Sequence, residues 1–186
     1  MERLVNIWEW RNGLINETAT LVYANENDMR SGMFDAQGTA LAWTHRPALD
    51  VFVEPRRKKP KPRADISTLR PGALVLNEKA RAVLGDFLSR FGQLLALDCD
   101  GATEYFYNVT TLIDCIDLER SVKRSSGSIA REAFVEQALP REPAVFKDPL
   151  TARTRIYVND AGRDILQALI DAAALTGSEF VVPGTP

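Results

Sequence analysis

Two helical stripes set 82 residues apart constrain what this chain can fold into more than any other feature. In the first, ALVLNEKARAVLGDFLSRFGQLLAL, apolar side chains stand at Ala80, Val83, Leu84, Phe87, Leu88 and Phe91, the spacing of an amphipathic helix. Asn77 is a good N-cap, Glu78 suits the first turn and Gly92 is a plausible stop. The second, RIYVNDAGRDILQALIDAAALTGSEFVV, repeats the register at Gly162, Ile165, Leu166, Leu169, Ile170 and Ala173. Asn159 stands for Asn77, Asp160 for Glu78 and Arg163 for Arg81, and Gly177 closes the pattern. The spacing predicts helices over about 78–91 and 160–174. A true internal repeat and two ordinary capped helices between strands both account for it.

Neither helix is stable alone. Each buried large apolar side chain contributes roughly 1.5–3 kcal/mol, while ordering costs about 1–2 kcal/mol per backbone residue. Both must lie on a sheet. Its strands are expected from ALVL, LLAL, EYFYNV, IAREAFV, AVFK and RIYV, which makes an α+β chain with a mixed or antiparallel sheet. The N-terminal third reads as strand and loop. RLVNIWEW alternates, with Trp8 and Trp10 opposite Val5 and Ile7, ALDVFVE is a second strand, and NENDMRSGMFDAQG is a loop. Pro55, Pro60 and Pro62 then break both helix and central strand. Residues 1–55 are thus a β-rich region, 56–65 a basic proline-rich connector and 66–186 an α+β domain, unless all three form one compact unit.

Between Arg56 and Arg63 lie six cations. Setting them aside leaves 17 basic against 25 acidic side chains, a moderately acidic body of net charge −8 carrying one basic loop. Such a loop could bind nucleic acid, but nucleic-acid modules usually add a basic face or stacking aromatics. No apolar run approaches the ~18 residues of a membrane span. The start, broken by Glu2, Arg3, Glu9 and Arg11, lacks the apolar core of an export signal, so a cytoplasmic location is expected. Cys99 and Cys115 are then core thiols rather than a disulfide.

Catalytic constellations are hard to assemble from these residues. His45 is the sole imidazole and precedes Arg-Pro, as a loop residue does. Two cysteines and one histidine make no standard zinc site unless acids complete the set, and the glycines are too scattered to cradle phosphate. In YFYNVTTLIDCIDLERS, residues 105–121, Thr111 followed by Asp114 predicts a short helix of about eight residues after a strand. Leu112, Ile113, Cys115 and Ile116 would face the core, with Asp114 and Asp117 on one outer face. A metal would need more ordered oxygens than that pair supplies. Asp98, Asp100 and Glu104 surround a predicted glycine turn, a negative loop that suits a basic partner. These five acids are the candidate partner-binding residues. No enzyme activity, catalytic residue, metal or cofactor is expected.

From about Arg63 onward the chain resembles a bacterial immunity-protein family of polymorphic-toxin systems, the Imm11 type, formerly a domain of unknown function. The segments that carry the resemblance are RADI, LVLNEKARAVL, YFYNVTTLIDCIDLERS, PAVFK and RIYVNDAGRDILQALIDAAALTGSEF, in that order. Its most distinctive element is Asn108-Val109 followed by Asp114, Asp117 and Ser121. The basic run at 56–63 is not part of that pattern, and the N-terminal third is similar only through FDAQGTALAW. The resemblance implies a protein that binds and neutralises a cognate toxin from a neighbouring gene by covering its active site. Trp43, Tyr105 and Tyr107 are the aromatic side chains that could anchor such an interface. The alternative is a small regulator that binds nucleic acid or a small ligand through residues 56–63.

Overall fold

The structure, a computed structural model, describes residues 5–13 and 16–185. Glu2 and Arg3, which entered the reading of the amino terminus, lie outside the described residues. In chain order the first elements are β1 (Ile7–Arg11), β2 (Leu21–Tyr23), α1 (Glu26–Arg30), β3 (Ala48–Val51), β4 (Ile66–Arg70) and β5 (Ala73–Leu76). There follow α2 (Glu78–Leu88), β6 (Gly92–Cys99), β7 (Ala102–Val109), β8 (Val122–Lys123) and β9 (Ile129–Arg131). A 3-10 turn (Glu136–Ala138), β10 (Val145–Phe146), β11 (Tyr157–Asn159), α3 (Asp160–Ala172) and β12 (Glu179–Val181) complete the chain. α1 is a single turn where a loop was expected, and Asn25 Oδ1 caps it by accepting from Asn27 N.

Both long helices begin where the asparagines put them. Asn77 Oδ1 accepts from Ala80 N, and Asn159 Oδ1 from Gly162 N, each at 2.9 Å. Their C-terminal ends differ from expectation, at Leu88 and Ala172. Gly92 is not a helix stop. It opens β6, where a Cβ would lie 2.3 Å from the Asn108 carbonyl oxygen, so the close approach of β7 requires it. Beyond α3 the left-handed position is taken by Ala174, φ 47°, while Leu175 N reaches Ile170 O. Gly177 lies in the next turn. The stripes otherwise bury as spaced, through Ala80, Leu84, Phe87 and Leu88 in α2 and Gly162, Leu166 and Ile170 in α3. Ile165 is the departure and stands exposed.

The fold is α+β, with two main sheets where one was expected. Six strands run in the order β2-β3-β6-β7-β5-β4, antiparallel except for the parallel pair β3–β6. Because β2 also approaches β4, this sheet curls into a near-barrel around Leu21, Phe34, Leu49, Val75, Leu97 and Phe106. Its longest hairpin, β6–β7, turns through Asp100 and Gly101, both at positive φ (49° and 79°), as a two-residue primed turn requires. The four other main strands form an antiparallel sheet, β10-β11-β1-β12, and β8 and β9 make a separate hairpin.

The two stripes have matching topological surroundings. In β5–α2–β6 the two strands are parallel and β7 lies between them, antiparallel to both. In β11–α3–β12 the inserted antiparallel strand is β1. Both are split strand–helix–strand units. α2 and α3 pack on one another, and one core joins Leu84 and Leu166 to Leu74, Leu76 and Tyr107 of the barrel and to Trp10 and Val158 of the second sheet.

A third cluster covers the other face of the four-stranded sheet, from Ile7, Phe146 and Tyr157 to Cys115 and Ile116. The short helix expected from Thr111 is absent. Ile113 N bonds Lys147 O, Lys147 N bonds Thr111 O, and the amides of Cys115 and Ile116 both donate to the buried Asp148 carboxylate at 2.8 Å. These distant acceptors take the donors a helix would use, so residues 111–116 stay extended and Leu112 is exposed. Lys147 is itself fully buried. Its Nζ donates to the carbonyls of Ala36, Gly72 and Ala152 at 2.5, 2.7 and 2.7 Å, one for each N–H of an ammonium. Burial pushes it down to about 7.

Candidate functional site

Among the described residues, a groove of about 840 Å³ is built from parts far apart in the chain. β1 supplies Glu9 and Arg11, the β4–β5 turn Pro71, the region of the β8–β9 hairpin Leu118, Arg124 and Ile129, and the loop before β11 residues 149–155. The 149–155 loop is held rigid from within. Asp148 accepts from Leu150 N, and Thr151 O accepts from Thr154 N and Arg155 N. With its backbone so tied, Leu150 is left 52% exposed at the rim, and the exposed Arg153 has no ion-pair partner among the described residues.

Arg155 lies behind this rim, between Glu9, whose carboxylate it contacts, and the buried Glu132 at 2.7 Å. Tyr157 OH donates to Glu132 Oε1 at 2.8 Å and lies 2.8 Å from Thr151 Oγ1. Burial raises Glu9 despite the Arg155 charge beside it, and burial likewise raises Tyr157. Both carboxylates are therefore committed to one guanidinium. Among the described residues no three potential metal ligands gather. Arg11 is paired in turn with Glu179 at 3.0 Å. What remains available is the charge of Arg124 and Arg153, both exposed and without an ion pair among the described residues, beside exposed Leu118 and Leu150.

The acids singled out by sequence fall in two separate places. Asp98 and Asp100 are exposed near the β6–β7 turn, and Asp98 pairs with Arg46 at 2.7 Å. Glu104 is buried against Arg63 at 2.7 Å. Of the expected negative loop, only Asp100 thus carries an unmatched charge. Asp114 is exposed on the extended 111–116 segment, not on a helix face with Asp117. Asp117 accepts from the amides of Glu119 and Arg120 and from Arg120 Nε, and the Arg120 guanidinium holds it below the usual carboxylate range.

Other sequence candidates are occupied within the fold. Tyr107 is fully buried, its hydroxyl donating to Leu88 O. Tyr105 OH donates to Glu78, and Trp43 packs against Phe34 and Phe106. His45 Nε2 lies 2.8 Å from Asp28 in a loop. Cys99 and Cys115 are buried free thiols, the second pushed up to about 12 by burial. In the basic run, Arg57 and Lys61 pair with Glu54 and Arg63 with Glu104, leaving Arg56, Lys58 and Lys59 exposed.

The groove itself escaped the sequence reading. Its one linear signal is SVKRSSGSIAR, residues 121–131, which holds three cations and no acid. No protein-family model matches the chain, and no curated protein matches it.

Proposed function

We propose that this chain works by binding another protein, as an immunity-type inhibitor that covers the active site of a toxin. The groove carries the reading. It gathers the exposed Leu118 and Leu150 and the arginines without an ion pair, Arg124 and Arg153, in the lining of one concave surface. Arginine with exposed apolar area at one place is the chemistry of an interface core rather than of a solvated face. The kind of partner comes from the resemblance of residues 63–186 to the immunity family. Inhibition of this sort needs a complementary surface burying about 1,200–2,000 Å² and no chemical step.

The test is co-expression with the product of the adjacent gene, followed by co-purification and a growth assay. A stoichiometric complex and rescue of growth are expected. A toxic neighbour that is neither bound nor rescued overturns the reading. Exposed Arg56, Lys58 and Lys59 favour a second reading, nucleic-acid binding through the connector. It requires a salt-dependent mobility shift with duplex DNA whose slope flattens in the alanine variants of these residues.

A further inference from the structure

The groove does not end at its rim. A cleft of about 160 Å³ adjoins it, sharing Glu9, Arg11, Pro71 and Thr154 in its wall. Trp10, Leu74 and Ile156 line this cleft, and all three belong to the central core. It is smaller than the ~300–1,000 Å³ of small-molecule sites. It has room for one large apolar side chain, presented by something that lies in the groove outside.

The charge at the mouth specifies the rest. Arg124 and Arg153 are unmatched, and the 121–131 hairpin adds Lys123 and Arg131 with no acid among them. Glu9 in the wall and Glu132 behind it hold Arg155, and Glu179 holds Arg11, while Glu119 stands exposed beside Leu118. Basic side chains stand here without matching acids, as they also do at Arg56, Lys58 and Lys59, so an acidic partner is drawn to this surface. The arginine-bearing groove has no aromatic in its wall among the described residues, which removes the stacking platform that single-stranded nucleic acid uses.

We propose that the groove recognises an acidic segment of a partner protein, with one bulky apolar side chain entering the Trp10–Leu74–Ile156 cleft and flanking carboxylates facing Arg124 and Arg153. This assignment rests on the protein-binding reading above and names the chemistry of the partner. Leu118 and Leu150 then cover the apolar parts of the segment on either side.

The probes are fluorescent hexapeptides with a central Leu or Phe flanked by Asp and Glu, followed by anisotropy. Controls carry Lys in place of the acids, or Gly in place of the central residue. Arg124→Glu with Arg153→Glu, and separately Thr154→Trp, alter exposed positions and leave the core intact. The acidic Leu and Phe peptides are expected to bind in the micromolar to millimolar range and to weaken about tenfold or more in the double charge reversal. Thr154→Trp should weaken the Leu and Phe peptides and leave the Gly control unchanged. Equal binding of the Lys peptides, no effect of the charge reversal, or no binding of any acidic peptide would overturn the proposal. The same variants in the co-expression assay separate the two readings. A neighbouring toxin neutralised equally by wild type and both variants removes the groove assignment and keeps the inhibitor. Peptides bound through the groove by a protein that ignores its neighbour do the reverse.

Discussion

Asn77 and Asn159 perform the same capping step in different surroundings. Asn77 is half-buried, and beyond its cap its side chain gives one bond, Nδ2 to Asp65 Oδ1 at 2.8 Å. Asn159 is buried. Its Oδ1 accepts from Ala144 N as well as Gly162 N, and its Nδ2 donates to the carbonyls of Pro140 and Glu142, both at 2.7 Å. Losing a cap costs about 1 kcal/mol, whereas each buried group left without a partner costs about 1–3 kcal/mol. Asn77→Ala is therefore expected to lower stability by about 1–2 kcal/mol and Asn159→Ala by about 3–5 kcal/mol. Urea denaturation of the two variants checks this, and equal losses would refute it. The caps were legible in the sequence because their signal is local: an asparagine, an acid and then a periodic stripe. The difference between them was not, since it depends on carbonyls 17 and 19 residues away in a stretch without regular structure.

At the scale of elements, the misread segment and the acid-sensitive joints have one cause, carboxylates serving backbone amides far off in sequence. Asp148 draws residues 115–116 out of the helical pattern that Thr111 and Asp114 suggested. Asp65 ties the start of β4 to the turn after α3, accepting from Thr176 N at 2.9 Å and Oγ1 at 3.1 Å and from Asn77. Asp160 ties α3 to β1 through Asn6 N, Asn6 Nδ2 and Trp8 Nε1. Burial pushes both groups up, but these bonds outweigh it and hold both below 3.8. The folded chain thus releases these protons at lower pH than the unfolded chain. Their stabilisation is complete above 3.8 and is lost as pH falls through the lower folded values. Asp65→Asn with Asp160→Asn should be less stable than wild type at neutral pH. It should also lose less of its remaining stability between about pH 4 and pH 2. Parallel pH profiles in thermal unfolding would rule this out.

For the whole molecule, the connections that matter most run between distant parts of the chain. The contiguous run at 56–63 attracted attention as the basic feature because it is contiguous, yet half of it is matched by Glu54 and Glu104. The groove draws on several stretches that no sequence window spans, so only the acid-free hairpin 121–131 could have pointed to it. The helices give the opposite case, since periodicity located both stripes while saying nothing of their meeting. In the fold, Leu84 of α2 and Leu166 of α3 share one core, and the central strands β7 and β1 touch through Tyr107 and Trp10, ring centroids 6.1 Å apart. Neither split unit has a separate core on its helix side. Leu84→Ala and Leu166→Ala should therefore each cost about 3–5 kcal/mol, and each should act on both sheets. In native-state hydrogen exchange, the β7 and β1 amides are expected to open with the same free energy, and either variant should lower both equally. If Leu166→Ala accelerated exchange in β1 alone, the two units would be separate cooperative bodies, and the 82-residue offset would then mark two domains instead of one shared core.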